Sequence, residues 1–262
     1  MRKKKKADLL GYIFFGICLI LVGIYAFFKM TTKSVEYDKI TNCEKEAGPN
    51  NYYVIILDNT DTLRTIQKSS VKNKIKGIVN EADPNDKVII YSLSDFSVEK
   101  TAPIIDKCSM RDGKDADKFT ENEALLRKRK SELFDAPIEE AVNKMLKNDK
   151  ASQASPIIEL IQKIRIQNLP DKIENKKVEI HLFSDLLQHS ENFSFYDKNY
   201  DLKKFLKSLE FEKIRSDLSR IEVTIWQLIN SRIDNIRLRD HWKEIFIKMK
   251  TKFRPDIEPI SG

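Results

Sequence analysis

Histidine and cysteine are scarce in this chain of 262 residues, three of each, and glycine is little commoner at seven. So few cysteines and histidines exclude a zinc cluster and a disulfide-dense scaffold. The shortage of glycine leaves no Gly-rich loop of the kind that cradles a nucleotide phosphate. No Ser-His-Asp or Cys-His set is in sight either. A strongly basic body is also missing. Lys+Arg 47 against Asp+Glu 40 gives +7, but Arg2, Lys3, Lys4, Lys5, Lys6 and Lys29 surround one apolar run in which Asp8 is the sole acid. Outside that segment 41 basic residues face 39 acidic ones. Nucleic-acid binding wants a basic face on the folded domain, so no nucleic-acid partner is expected. What is present is a 41% hydrophobic content, enough for a real core in one domain of ordinary size plus an appendage.

The appendage is the run from Leu9 to Phe28, LLGYIFFGICLILVGIYAFF, 20 residues without a charge. At about 1.5 Å per residue it can cross a hydrocarbon core of about 30 Å as a helix, which satisfies its backbone internally. A cleaved signal peptide would have a shorter apolar region and a small-x-small site, and Ala26-Phe27-Phe28-Lys29 offers none. Five consecutive basic residues before the span and one Lys after it orient the amino terminus toward the cytoplasm. The expected layout is a cytoplasmic tail at 1–8, a transmembrane helix at 9–28, a stalk at 29–50 with the breaker pair Gly48-Pro49, an extracytoplasmic domain at 51–254 and a tail at 255–262. Cys18 lies in the span. Cys43 and Cys108 remain as the pair available for a disulfide in an oxidising compartment, the other reading being two unrelated small core residues.

Within the domain, four apolar runs rich in β-branched and aromatic residues read as buried strands: Tyr52–Leu57, Lys87–Leu93, Lys177–Phe183 and Ile221–Ile229. Helical patterns lie between and after them. Ile138, Ala141, Val142, Met145 and Leu146 share one face, and Ile157, Ile158, Leu160, Ile161 and Ile164 another. Leu202, Phe205, Leu206 and Leu209 make a third, and Trp242, Ile245, Phe246 and Met249 a fourth. Strands separated by helices imply right-handed crossovers and a doubly wound α/β domain with a mostly parallel sheet. The segment Ala102–Cys108 follows the second strand too closely for a crossover helix and is expected as one antiparallel edge strand. Residues 109–130 form a charged insertion without a core face, and its run Arg127-Lys128-Arg129-Lys130 reads most simply as a solvated surface, with contact to an acidic partner as the alternative.

Open α/β sheets bind ligands outside the carboxyl ends of their strands, where the strand order reverses. Asp58-Asn59-Thr60-Asp61-Thr62 follows the first strand, Ser184-Asp185 follows the third long one, and Ser155-Pro156 opens a helix between them. Two carboxylates and three hydroxyls converging from three loops would suit a hard cation such as Mg²⁺, which prefers oxygen ligands and keeps several waters. Singly, each element has an ordinary structural reading. Asp58 to Thr62 could be an Asx turn and N-cap, and Ser155 before Pro156 is what many helix starts prefer.

These residues carry a resemblance to von Willebrand factor type A (VWA) domains. That family builds its metal-ion-dependent adhesion site from Asp-x-Ser-x-Ser after the first strand, a Thr from a middle loop and an Asp after the fourth strand. Asp58-x-Thr60-x-Thr62 is similar to the first element, Ser155 to the second and Asp185 to the third. The resemblance covers about residues 50–253 and looks closest to single-span bacterial members, which carry turns like Ser155-Pro156-Ile157 and Ser184-Asp185-Leu186-Leu187-Gln188. Thr replaces both serines of the first element and Ser replaces the Thr of the second, and every exchange keeps a hydroxyl. The resemblance implies a Rossmann-like VWA fold, a Mg²⁺ or Mn²⁺ held by Asp58, Thr60, Thr62, Ser155 and Asp185, and a protein partner whose acidic residue completes the ion's coordination.

Two other functions compete with this non-enzymatic binding module. One is a metal-free scaffold within a membrane complex. The other is a Mg²⁺-dependent phosphohydrolase of the haloacid dehalogenase type, which needs Asp-x-Asp. Here position 60 is Thr and the second acid is Asp61, three residues on. His181 alternates with apolar residues on a strand, with His189 and His241 far from it, so none is expected as a metal ligand. Trp226 and Trp242 fall on core-facing patterns and read as packing.

Overall fold

A computed structural model describes residues 2–31, 35–93, 98–147 and 154–260, with side chains of the first helix described at 13–27. The chain divides into two units, Met1–Tyr37 and Asp38–Gly262. Among its described residues the first contains the helix α1 (Arg2–Thr31), in which the described apolar side chains are exposed, Phe14 at 70% and Ile20 at 63%. Among the described residues no helix is long and apolar enough to cross a membrane. The two ends of the expected 9–28 span, and the basic side chains around it, lie outside the described side chains.

The second unit is an α/β domain. In chain order it contains β1 (Tyr52–Asp58), α2 (Thr65–Asn80), β2 (Lys87–Leu93), β3 (Ile105–Cys108), α3 (Glu123–Lys130), α4 (Ala136–Lys147), α5 (Ile157–Gln167), β4 (Val178–Ser184), α6 (Leu202–Phe205), α7 (Leu209–Ile214), β5 (Glu222–Leu228), α8 (Asn235–Lys248) and β6 (Asp256–Ile260). The sheet order is β3-β2-β1-β4-β5-β6. β3 is the antiparallel edge expected from the sequence, and the other pairings are parallel.

β1 is buried along its whole length because helices cover both faces of the sheet. Val54 and Ile56 face a core built with α5, α7 and α8, where Trp242 and Phe246 are fully buried. Ile55 and Leu57 face the opposite core, built with Val71 and Ile75 of α2 and Ile138 and Val142 of α4. The 138–146 and 157–164 faces are buried as their periodicity predicts. The 202–209 face is not continuous. The chain breaks at Ser208, which caps α7 by accepting from the Phe211 N–H, and Leu209 is left 74% exposed.

Two boundaries differ from the sequence expectation. The stretch read as a stalk belongs to the domain from Asp38 onward. Asp38 Oδ1 accepts from the Ile40 and Thr41 amides, the Thr41 carbonyl accepts from Cys108 N at 2.7 Å, and a Cys43–Cys108 disulfide fixes the segment to β3. The bridge spans a sequence separation of 65, and closing a loop of that size in the unfolded chain is worth roughly 4 kcal/mol in chain entropy. The residues read as a tail form β6, parallel to β5 from Thr224↔Asp256 to Leu228↔Ile260. Pro259 is compatible with that position because an edge strand tolerates the missing N–H. The charged insertion ends in α3, which has no buried residue and carries Arg127–Lys130 on its last turn.

Candidate metal centre

Strand order reverses between β1 and β4: the chain leaves β1 toward β2 on one side and continues from β4 to β5 on the other. Leu57 pairs with Phe183, so the next residues, Asp58 and Ser184, end their strands side by side at this crevice. Ser184 Oγ donates to Asp58 Oδ2 at 2.6 Å. Ser155 Oγ donates to the same oxygen at 3.0 Å, and Thr60 donates to Oδ1 from its hydroxyl at 2.6 Å and its amide at 3.2 Å. Three loops therefore meet on one buried carboxylate. Asp58 makes the Asx turn allowed by the sequence, but it does not cap α2, which starts after Arg64.

Backbone and side chains hold each loop in place. Ser155 exchanges two backbone hydrogen bonds with His189, at 2.8 and 2.9 Å. Gln188 is fully buried, its Oε1 accepting from the Ile158 amide at the start of α5 and its Nε2 donating to Glu159 Oε2. Leu186 adopts a left-handed backbone at φ 70, a costly conformation for a side chain with a Cβ. Trp242 holds that turn from α8 through its indole N–H to the Leu186 carbonyl at 2.8 Å.

Asp185 stands beside this cluster. Its Oδ1 accepts from the Leu187 amide at 3.1 Å and its Oδ2 from the Asn230 side chain at 3.3 Å. Burial, with Asp58 adding like charge, pushes Asp185 up to about 7. Asp58 is also raised by burial, against the lowering effect of its Ser184, Thr60 and Ser155 hydrogen bonds. Asp58, Thr60, Thr62 and Asp185 line one open cavity of about 380 Å³, with Arg64 and Arg232 on its walls. Of the five residues singled out in the sequence, the structure joins Asp58, Thr60 and Ser155 through hydrogen bonds and places Thr62 and Asp185 on the cavity that Asp58 and Thr60 share. Thr62 is exposed there. Ser184, Asn230 and Gln188 complete the arrangement. Ser184 is legible as the partner of Asp185 in one turn, but nothing in the sequence marks Asn230 beyond its place after an apolar run.

The donor set is all oxygen, two carboxylates with hydroxyls, which fits a hard divalent cation and not zinc. Among the described residues no three His, Cys, Asp or Glu side chains converge to hold a metal by themselves, so hydroxyls and water would have to complete the shell. Two adjacent buried carboxylates repel, and among the described residues neither Asp58 nor Asp185 has a Lys or Arg ion-pair partner.

No family model matches the sequence, and no curated protein matches it. Solved structures similar to the chain include BatB from Bacteroides thetaiotaomicron, 14% identical over 80% of this chain and 91% of that one with a TM-score of 0.41. The von Willebrand factor type A protein from Catenulispora acidiphila is 11% identical over 82% of this chain and 39% of its own length, with a TM-score of 0.45. The manganese-loaded TRAP protein of Plasmodium vivax is 10% identical over 73% and 62%, with a TM-score of 0.40. VWA domain proteins are thus among the structural neighbours of this chain, the family that its sequence resembles.

Proposed function

We propose that the chain is a membrane-tethered, extracytoplasmic VWA-like binding module that grips a protein partner through a carboxylate completing a Mg²⁺ or Mn²⁺ site at Asp58, Thr60, Thr62, Ser155 and Asp185. The observation that carries this reading is that Asp58 and Asp185, both buried, line one open cavity and have no Lys or Arg ion-pair partner among the described residues. When bound, a divalent ion there supplies strong attraction for one more oxygen ligand. The chain's own residues supply the rest: Ser184 and Gln188 hold the loops, and the Asp58 hydrogen bonds fix the orientation of its carboxylate before any ion arrives.

Catalysis has less support. A nucleophilic carboxylate needs a free oxygen, and each Asp58 oxygen already accepts two hydrogen bonds. The same saturation favours the second reading, a metal-free scaffold, since Asp58 is satisfied by protein donors alone. The tether and the side of the membrane rest on the basic cluster before an apolar helix whose described side chains are exposed, and on a disulfide of the kind that persists in oxidising compartments. Calorimetric titration of the full-length chain in detergent tests the metal reading. Mg²⁺ or Mn²⁺ should bind, and Asp185→Ala should weaken binding at least tenfold. No heat from the wild-type chain would leave the scaffold.

A further inference from the structure

The mouth of the cavity carries more than the five oxygen donors require. Arg64 reaches it from the loop after β1 and Arg232 from the loop after β5. Among the described residues Arg64 uses one of its five guanidinium N–H groups, from Nη2 to the Ile229 carbonyl at 3.2 Å, and Gln67 donates to the same carbonyl. The Arg232 guanidinium makes no hydrogen bond or ion pair among the described residues, and only its amide is engaged, with Asn230. Two arginines thus flank a polar centre, and arginine is among the residue types that dominate binding energy at protein interfaces.

A partner seated here strips water from both guanidinium groups, and a desolvated arginine without an anionic acceptor is expensive. Among the described residues Asp61 is the one carboxylate on the cavity wall outside the five-residue set, so it can answer one arginine at most. From this we infer that the partner presents two acidic side chains close together, one for the centre and a second for Arg64 and Arg232, and that these arginines are specificity-determining residues. The recognised chemistry is a short acidic peptide segment instead of a lone carboxylate. This rests on the metal reading proposed above and adds a requirement that reading does not contain.

The test uses the full-length chain in detergent with Mn²⁺ and two fluorescein-labelled peptides, Gly-Asp-Glu-Gly and Gly-Asp-Gln-Gly, equal in length and differing by one charge. Anisotropy should give at least tenfold tighter binding of the two-acid peptide. The Arg64→Gln, Arg232→Gln double variant should lose that preference while Mn²⁺ binding, read calorimetrically without peptide, stays unchanged. Both side chains are on the surface, so folding is not at stake; a circular dichroism melt checks it. Equal affinities for the two peptides, or a preference that survives the double substitution, overturn the inference and leave the metal reading standing. Absence of Mn²⁺ binding by the wild-type chain overturns both.

Discussion

At the carboxyl end of β4, Ser184 donates to Asp58 and accepts from the Leu186 amide, and both oxygens of Asp185 accept a hydrogen bond. Earlier on the same strand, His181 is 8% exposed, and among the described residues neither of its ring nitrogens is hydrogen-bonded and Glu179 Oε2, buried 3.7 Å from His181 Nε2, has no hydrogen-bond partner. One strand thus carries a saturated polar cluster at its top and an unsatisfied one lower down. Buried polar groups are costly unless paired, so the two regions should answer substitution in opposite ways. At the top, removing a group orphans its partners; lower down, removing His181 breaks no hydrogen bond among the described residues.

The largest effect should come from Asp58→Ala. It strips the acceptor from the Ser155, Ser184 and Thr60 hydroxyls and from the Thr60 amide, all held at 3.2 Å or closer. Reading Asp58 as a loop ligand alone predicts an intact fold; the hydrogen bonds predict a loss of about 3 kcal/mol as the orphaned donors go unpaired. Urea unfolding of the full-length chain in detergent measures it. A loss below about 1 kcal/mol would dissolve the contrast between the two regions.

A pH effect should follow in size. Asp185 is pushed up to about 7 in the folded chain, above the ordinary carboxyl value it regains on unfolding. The folded state therefore holds this proton more tightly, so its contribution to stability is full below about pH 4 and fades as pH rises toward 7. Without divalent metal, stability should fall by on the order of 2 kcal/mol across that window, and Asp185→Asn should flatten the profile. Added Mn²⁺ should restore stability at pH 7. Unfolding midpoints that stay level from pH 4 to 7 in chelator would count against the buried carboxylate pair.

Much of the top of the sheet was readable from the chain alone, because the signals there are local. Apolar runs end in Asp58 and Ser184-Asp185, and Ser155-Pro156-Ile157 sits at the start of an apolar helix face. Other features depend on partners distant in sequence. β6 reads DIEPI, too short and polar to announce a strand, and exists because β5 offers it an open edge. Asp38 to Asn50 looks like a polar stalk until Cys43 meets Cys108 and Asn85 accepts from the Glu44 amide. Trp242 was readable as a core residue, but its bond to the turn after β4 crosses 56 positions that no periodicity connects.

That indole bond gives the third prediction. Trp242→Phe keeps most of the buried ring and leaves the Leu186 carbonyl without its donor, in a turn whose φ of 70 already needs support. The cost should be about 1.5 kcal/mol, from one orphaned buried carbonyl and a small void. Mn²⁺ affinity should fall severalfold as the Asp185 loop loosens. Trp242→Leu should cost more in stability, since it removes the ring as well, without a matching further loss of metal affinity. Calorimetry and urea unfolding on the same two variants separate positioning from packing.

The smallest effect, and the one that probes the unsatisfied region directly, is His181→Leu. His181 packs parallel to Trp226 at 6.4 Å between centroids, and Lys74 Nζ covers the other ring system at 3.7 Å from the Trp226 centroid while pairing with Glu258. Replacing the imidazole with an aliphatic side chain of similar volume removes two buried nitrogens that have no hydrogen-bond partner among the described residues, and orphans no donor or acceptor there. The stacking lost with Trp226 offsets part of that gain, because such pairs are worth about 0.5–1.5 kcal/mol. The net change should lie within about 1 kcal/mol of zero and lean toward stabilisation, with Mn²⁺ affinity unmoved because the top of the strand keeps its own hydrogen bonds. A destabilisation above about 2 kcal/mol would mean that His181 is satisfied by a bound water or by closer pairing with Glu179, and the contrast along β4 would be one of partner type instead of partner absence.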